Sequence, residues 1–151
     1  MIEKLHHHKV EVSKQIYLVF QLSYTVEAKL LGSSDFPPLR RPLEKYVQSN
    51  NEFFGYFEEE ELAGVVEVET MVDHIDINSL VVKPDYFRRG IGRKLMEFVF
   101  EKMDADLYVV ETGIENKPAT ALYMKLGFQE VKQWDTDFGI RKVKFEKRVS
   151  C

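Results

Sequence analysis

The stretch that decides the fold of this sequence is Lys83-Pro84-Asp85-Tyr86-Phe87-Arg88-Arg89-Gly90-Ile91-Gly92-Arg93. It follows residues 74–82, which alternate in the manner of a strand, and it leads into apolar residues at helical spacing. Those apolar residues are Ile91, Leu95, Phe98 and Val99. Free N–H groups at the start of a helix bind phosphate well, and glycine lets the backbone approach a ligand closely. The order of strand, glycine-arginine loop and helix therefore predicts a phosphate-binding site.

Two common phosphate-binding motifs are excluded by inspection of this loop. A P-loop requires Gly-Lys-Ser/Thr, whereas Gly92 is followed by Arg93-Lys94-Leu95. A dinucleotide fingerprint requires a third glycine three residues after Gly92, and Leu95 stands there instead. The loop therefore favours neither ATP nor NAD.

A second informative segment spans residues 116–128 and follows a predicted strand at Leu107 to Val110. Asn116 is expected to cap the start of a helix, and Gly127 is expected to end it. One face of that helix is formed by Ala119, Leu122, Tyr123 and Leu126. Packing alone explains the leucines, but it explains less well a tyrosine placed downstream of an arginine-glycine phosphate loop.

Together, these two segments resemble the two signature motifs of the GNAT acetyltransferase superfamily, and the resemblance extends over essentially the whole chain. It implies an α/β fold with a central, mixed but mostly antiparallel twisted sheet of about seven strands, flanked by about four helices. In that fold the strand at residues 75–82 diverges from the strand at residues 107–110. The pantetheine arm of CoA would lie in the gap between these splayed central strands.

The resemblance also implies that acetyl-CoA is the cosubstrate, and it assigns the contacts. Backbone groups of Leu80, Val81 and Val82 would meet the pantetheine arm. The pyrophosphate would be held by Arg88, Arg89, Gly90, Ile91, Gly92 and Arg93. Asn116 would contact the CoA arm, and Tyr123 would lie beside the sulfur. Phe87 departs from the family pattern, which more often has Gln or Arg there, but backbone N–H groups would supply most pyrophosphate bonds.

The mechanism implied by the family is direct attack of a neutral amine on the thioester within a ternary complex, without a covalent acyl-enzyme. A backbone N–H near Leu80 or Val81 would stabilise the developing oxyanion, and the Tyr123 phenol would protonate the departing thiolate. Asp76 lies four residues before Leu80 and is a candidate base for the amine, although an isolated strand carboxylate can equally be a solvated one. Glu67 and Glu69, on one face of the preceding strand, are the alternatives.

The sequence does not identify the acceptor beyond a primary amine of a small molecule or peptide. Acceptor selectivity is expected from loops at residues 32–42 and 134–139. Val143 and Phe145 alternate with charged residues in the last strand, which is consistent with a half-buried edge or with a homodimer contact. Two other classes of function stay open: a CoA-binding sensor or interaction module without turnover, and a scaffold with an empty cleft.

The elements are expected in the order strand, helix, helix, three strands, helix, strand, helix and two strands. Val10 and Val12 predict the first strand, and apolar spacing from Ile16 to Leu30 predicts a helix, although residues 17–22 also fit a strand. Turn formers at residues 32–38 predict a mobile loop, and residues 51–57 and 62–70 predict a hairpin with an acidic tip.

In the strand at residues 74–82, strict alternation predicts two faces. One face would carry Ile75, Ile77 and Val81, and the other Asp76, Leu80 and Val82.

Composition bounds these interpretations. A chain of 151 residues with 44% hydrophobic and 30% charged residues predicts a single domain over residues 1–151. The net charge of -4 argues against a nucleic-acid partner. Without a membrane-spanning run or a signal peptide, the expected location is cytoplasmic, away from membranes. The only cysteine is Cys151 and the His6-His7-His8 triplet is expected to be solvated, so no disulfide and no metal are expected.

Overall fold

The computed structural model describes residues 1–149 as thirteen elements of secondary structure. The predicted Cys151 terminus lies outside the described residues. The strands are β1 Ile2–Lys4, β2 Glu52–Glu58, β3 Glu61–Thr70, β4 Ile75–Val82, β5 Leu107–Gly113, β6 Gln129–Asp135 and β7 Arg141–Arg148. The helices are α1 Val10–Leu30, α2 Leu43–Val47, α3 Ile91–Lys102 and α4 Lys117–Lys125, with short 3-10 turns at Pro37–Arg40 and Pro84–Tyr86.

One seven-stranded sheet runs through the molecule in the order β1-β2-β3-β4-β5-β7-β6. Every neighbouring pair is antiparallel except β4 and β5, which run parallel and pair only over residues 75–77 and 108–110. Beyond Ile77 the two strands separate, and a gap opens at the centre of the sheet. The predicted fold class, including the splayed central strands, is confirmed.

Helices cover both faces of the sheet, because each face carries apolar side chains that must be buried. Helices α3 and α4 cover one face, whose buried residues include Val66, Val68, Ile77, Leu95, Val99, Val110, Tyr123 and Phe145. Helices α1 and α2 cover the other, with a core that includes Ile16, Val19, Phe20, Tyr46, Phe53, Val65 and Val81. The gap between β4 and β5 therefore connects two covered faces.

An irregularity in β4 corrects the predicted division of its side chains. The pairing with β3 shifts register between Glu67 and Val68, whose partners are Ser79 and Ile77, so Asn78 is an extra residue. A bulge of this kind reverses the alternation of side chains. Ile77 therefore shares the α3 and α4 face with Leu80, while Val81 faces α1. Strict alternation had predicted the opposite grouping.

The amino-terminal prediction is also wrong in its details. Val10 and Val12 belong to α1, which also contains the Tyr17 to Leu22 run, and the first strand is Ile2–Lys4 at the sheet edge beside β2. Two valines are too few to distinguish the period of a strand from that of a helix, and both lie in the first turn of α1. His7 is not solvated: its side chain is buried, its ring packs on Phe53, and its Nε2 lies 2.7 Å from Ser49 O.

Strand β7 lies inside the sheet, between β5 and β6, so the edge interpretation of Val143 and Phe145 is wrong. Both side chains are buried, and the outer strand is β6, which is mostly exposed.

In the loop after α1, Phe36 is buried against Ala28 and Ile140 and anchors that segment. Within residues 1–149, no helix is long and apolar enough to cross a membrane.

Candidate functional site

The backbone of β4 determines which amides face the gap. Lys83 donates its N–H to a β3 carbonyl at 2.8 Å, and successive amides of a strand point to opposite edges. The Val82 N–H therefore points toward the gap, where Ser23 Oγ accepts it at 3.4 Å. By the same alternation the Leu80 N–H faces the gap and the Val81 N–H faces β3. Of the two predicted oxyanion donors, Leu80 is the one directed into the gap.

The loop between β4 and α3 prepares the start of α3 for an anion. Gly90 is the N-cap residue in the left-handed region with φ 75°, and Arg88 also has a positive φ, 67°. A left-handed non-glycine residue is strained, and such strain often occurs at binding loops. The first N–H groups of α3 have no acceptor within the helix and carry the positive end of its dipole. Ile91, Gly92 and Arg93 provide those N–H groups.

The arginine side chains of the loop lie at its rim. The Arg89 guanidinium lies 5.1 Å from the Tyr86 ring centroid and 3.9 Å from Glu58, and Arg93 Nε lies 3.4 Å from Glu97. Both side chains are more than half exposed. They contribute positive potential, whereas backbone N–H groups provide the directed bonds to an anion.

A cavity of about 550 Å³, the cofactor-side cavity, joins this loop to the gap in the sheet. Its size is typical of a small-molecule site. It brings together Leu80, Val82, Arg88, Gly90, Ile91, Gly92, Arg93, Asn116 and Tyr123. Of the predicted cofactor residues, Val81 and Arg89 are not in its lining, because the Val81 side chain packs toward α1 and Arg89 lies at the rim.

Helix α4 places a tyrosine at the inner end of this cavity. Asn116 caps the helix by accepting the Ala119 N–H at 3.3 Å, and Gly127 follows it with φ 95°. Tyr123 is 5% exposed and packs on Phe128 and Phe145. Burial raises the pKa of the Tyr123 phenol above its usual value. The phenol therefore stays protonated at neutral pH and holds a proton that it can donate, although its raised pKa makes it a weaker acid.

Asp76 lies away from Tyr123. It is in the paired part of β4, opposite Glu69 on β3 and Val109 on β5, and it is not in the lining of the cofactor-side cavity. Its carboxylate lies 3.9 Å from His74 Nε2. Partial burial raises its pKa, which the His74 charge partly opposes. The structure does not bring Asp76 together with the other predicted site residues.

Glu67, an alternative base, is held in a network of three hydrogen bonds. It is 2% exposed and receives two bonds from Arg41, at 2.8 and 3.1 Å, and one from Asn51 at 2.9 Å. The Arg41 guanidinium also lies 4.1 Å from the Tyr46 ring centroid. This network joins α2 and its preceding loop to the sheet. Glu69, the other alternative, accepts from Asn78 Nδ2 at 3.1 Å.

Further cavities lie on the α1 side of the gap. One of about 390 Å³ is lined by Phe20, Tyr24, Pro38, Arg41, Asn51, Glu67, Asn78 and Ser79. Another of about 410 Å³, the acceptor-side cavity, is lined by α1, the 3-10 turn at Pro37–Arg40, β5 and the segment at residues 138–142. A narrow passage of about 50 Å³ lies between the separated strands, lined by residues that include Glu27, Ser79, Leu80, Glu111 and Tyr123. Space therefore exists on both sides of the sheet around the same gap.

Sequence reasoning missed Tyr24 and Glu27, which α1 directs at the gap. The Tyr24 hydroxyl donates to Ser79 Oγ at 3.2 Å, and burial raises its pKa. Glu27 lines both the cofactor-side and the acceptor-side cavity. A signal was present: Glu27 lies seven residues after buried Phe20, on the stripe that α1 turns toward the sheet. A carboxylate on such a stripe is unusual without a partner or a function.

Comparison with known proteins was consistent with this geometry. The sequence model of the Acetyltransferase (GNAT) family matches residues 16–128. The UPF0157 protein YqkA of Bacillus subtilis is 35% identical over 133 residues, which are 87% of this chain but only 39% of that protein. The chain thus spans well under half of that relative's length.

Solved structures of N-acetyltransferases share the fold. The ribosomal-protein-S18-alanine N-acetyltransferase of Escherichia coli superposes with a TM-score of 0.78 at 21% identity, covering 100% of this chain and 94% of that one. The PaiA N-acetyltransferase of Thermoplasma acidophilum, solved in complex with coenzyme A, gives a TM-score of 0.71 at 21% identity, with 99% and 98% of the chains covered.

Proposed function

Because this chain belongs to the acetyltransferase (GNAT) family, we propose that it is an N-acetyltransferase that transfers the acetyl group of acetyl-CoA to a primary amine. The observation that carries this proposal is the cofactor-side cavity, which joins the start of α3 to Tyr123 through the gap between β4 and β5. The start of α3 suits the pyrophosphate of an acyl-CoA, and the open edge of β4 suits its pantetheine arm. The buried phenol suits the thioester end.

The residues present fit a CoA thioester. The pyrophosphate would be held by N–H groups of Ile91, Gly92 and Arg93 under the positive potential of Arg88 and Arg89. The pantetheine amides would bond to the Leu80 and Val82 edge of β4, with Val81 contributing through the strand rather than through its own amide. Apolar side chains of Pro118, Ala119 and Leu122 line the cavity along this path. Asn116 would contribute its side-chain amide beside the α4 cap.

Catalysis would proceed by direct attack of the neutral amine on the thioester carbonyl. The Leu80 N–H is aimed at the gap and would donate to the carbonyl oxygen as negative charge develops on it. The Tyr123 phenol, kept protonated by burial, would give its proton to the departing thiolate. Asp76 as the base for the amine stays a prediction from the sequence. Because Asp76 lines none of the cavities around the gap, another carboxylate is a better candidate.

The acceptor is proposed to enter from the α1 side. The acceptor-side cavity is separate from the cofactor-side cavity except at the gap, so an amine and a thioester can approach each other from opposite faces. The related protein from Escherichia coli is named a ribosomal-protein-S18-alanine N-acetyltransferase. A peptide that begins with alanine is therefore the first acceptor to test, followed by polyamines and aminoglycosides.

Release of CoA thiol from acetyl-CoA in the presence of each amine tests the proposal, with product mass confirming acetylation. Transfer to at least one amine is expected, and calorimetry should give saturable acetyl-CoA binding. Binding without turnover on any amine would favour a CoA-binding sensor. A cavity that does not bind acetyl-CoA would overturn the proposal altogether. A single domain, a cytoplasmic location and a homodimer stay predictions from the sequence.

A further inference from the structure

Glu27 lies at the gap in the sheet, where the cavities on its two faces meet. Among residues 1–149, it alone lines both the cofactor-side cavity and the acceptor-side cavity, and it also lines the narrow passage between them. Tyr123 lines that same passage from α4. A side chain in this position lies where an amine from one side would meet a thioester from the other.

The Glu27 carboxylate is not neutralised by a direct partner. In the part of the chain that the structure describes, no lysine, arginine or histidine lies within ion-pair distance of it. Lys142, the nearby cation on β7, bonds instead to Glu111 at 3.2 Å. Even a partly buried carboxylate without a cation is costly, and such groups are concentrated at functional sites.

We propose that Glu27 is the general base that takes the proton from the acceptor amine, in the acetyl transfer proposed above, on which this inference rests. The carboxylate accepts one proton from the ammonium and leaves a neutral amine. The nitrogen lone pair then forms the C–N bond to the thioester carbon, and the C–S bond breaks with its electron pair going to sulfur. The sulfur takes the proton of the Tyr123 phenol, the second amine proton restores that phenol as the amide forms, and the first proton leaves Glu27 for solvent.

The environment of Glu27 suits this role. Burial raises its pKa from 4.5 to about 7, while the Asn116 amide and the charge of Lys142 act in the opposite direction. The other groups that face it are Tyr24, on its own helix, and Tyr123 on α4, both with a pKa raised by burial. An α-amine has a pKa of about 8, so a base near 7 can accept its proton without a large energetic penalty.

Glu67 is bonded to Arg41 and Asn51, and Glu69 to Asn78, so two other carboxylates compete for the role. Glu111 lines the acceptor-side cavity and the passage, but it is exposed and its oxygen is bonded to the Lys142 ammonium. Asp76 lines none of the described cavities. The three candidates lie on different elements, α1, β5 and β4, so single substitutions distinguish them.

The test measures kcat/KM for acetyl-CoA and a synthetic hexapeptide beginning with alanine, between about pH 6 and about pH 9.5. The variants are Glu27→Gln, Glu111→Gln and Asp76→Asn, with Glu11→Gln as a matched control at an exposed position of the same helix. Glu27→Gln should lose about 100-fold at pH 7 and recover toward alkaline pH, where the free amine is abundant. The ascending limb of the pH profile should move from about pH 7 to the alkaline range where the amine itself loses its proton, in Glu27→Gln alone, and Glu11→Gln should match the parent.

Melting temperature and acetyl-CoA affinity establish that each variant is folded and binds its cosubstrate. If Glu27→Gln does not fold, Glu27→Asp replaces it, and a slower reaction that keeps the ascending limb is the supporting result. The assignment is overturned if the Glu27 variant keeps the parental rates and pH dependence. It is also overturned if the ascending limb of the pH profile moves in Glu111→Gln or Asp76→Asn instead. Either result leaves the transferase proposal intact. If the parent protein turns over no amine at all, the transferase proposal fails, and the role of Glu27 falls with it.

Discussion

At the scale of single residues, Tyr123 combines two properties that a general acid requires. It lies at the inner end of the cofactor-side cavity, and its phenol is buried among aromatic rings that keep it protonated. The ring of Tyr123 makes the packing contacts with Phe128 and Phe145, whereas only its hydroxyl can give a proton. A substitution can therefore remove one without the other.

Tyr123→Phe should therefore keep the fold and the acetyl-CoA affinity while turnover falls by about 100-fold, if proton transfer to the thiolate limits the rate. The ring and its contacts remain, so the melting temperature should change little. Steady-state rates of thiol release, calorimetric affinity and thermal melting measure the three quantities. A parental rate, with chemistry shown to be rate-limiting, would return Tyr123 to the status of a packing residue.

The two loop glycines differ in what they require. Gly90 has φ 75°, which a residue with a Cβ rarely adopts, although no atom would collide with that Cβ. A Cβ on Gly92 would have ordinary contacts, 3.5 Å from Leu122 and 3.7 Å from Leu80. The protein alone therefore tolerates alanine at position 92, and only a ligand lying against the backbone would oppose it.

Gly92→Ala should leave the melting temperature unchanged and weaken acetyl-CoA binding by about tenfold, because the methyl group would stand against the pyrophosphate. Gly90→Ala should lower stability by about 1 kcal/mol through backbone strain. Calorimetry and thermal melting of the two variants separate these effects. Unchanged acetyl-CoA affinity in Gly92→Ala, and in the bulkier and charged Gly92→Glu, would show that the pyrophosphate does not bind at this loop.

At the scale of elements, the start of α4 has two tasks at one residue. The Asn116 side-chain oxygen caps the helix, and its amide nitrogen is available to a neighbour such as Glu27 or a CoA carbonyl. A helix of nine residues with few buried positions depends on its cap more than a long helix does. The element that presents Tyr123 is thus held by a residue of the same cavity.

Asn116→Ala should cost about 1 kcal/mol through loss of the cap, and lower the melting temperature by about 2–4 °C. Asn116→Ser keeps a capping oxygen and should recover the stability, but it lacks the amide. If Asn116 also contacts CoA, acetyl-CoA affinity should stay reduced in both variants. Recovery of affinity together with stability in Asn116→Ser would show that the residue acts only as a cap.

Strand β4 shows how one irregularity positions a site. The extra residue Asn78 shifts the register against β3, so the strand changes its inward face just where it separates from β5. Beyond this point Leu80 lines the cofactor-side cavity, whereas Ser79 lies on the α1 side beside Tyr24. The bulge therefore decides which of the alternating residues face each side of the gap.

At the scale of the whole molecule, a single gap between parallel strands gives access from both faces of the sheet. The helices stabilise those faces, but no strand fills the gap, and α1 places a carboxylate across it. Burying that carboxylate has a thermodynamic consequence. Its pKa is about 7 in the folded protein and near 4.5 when exposed, so the folded state binds the extra proton.

The stability that Glu27 contributes is complete below about pH 4.5 and is lost as the pH rises through about 7. Glu27→Gln does not titrate, so its melting temperature should rise relative to the parent over that interval. Scanning calorimetry at a series of pH values gives the difference, and Glu11→Gln, exposed on the same helix, should follow the parent. A difference that does not change with pH would mean that the carboxyl is not desolvated in the folded state.

The sequence by itself determined the fold class and indicated most of the predicted cofactor residues that line the cofactor-side cavity. The hairpin, the loop before α3, and the start and end of α4 follow from local patterns: period-two alternation, glycine and arginine before an amphipathic helix, asparagine and glycine at helix ends. The proposed phosphate site at the loop is local as well, since its N–H groups belong to consecutive residues. Such features depend on residues within a few positions of each other, and the order of residues specifies them directly.

Only the tertiary structure decided which side chains share the gap. Glu27 meets Asn116 and Tyr123 because α1 packs across the sheet opposite α4, and Val81 turns from the gap because of a bulge set by pairing with β3. The assignment of β7 to the interior and of Val10 to a helix likewise depends on what packs beside them. These contacts join residues far apart in the chain, and their free energy arises from burial of surfaces that no local pattern specifies.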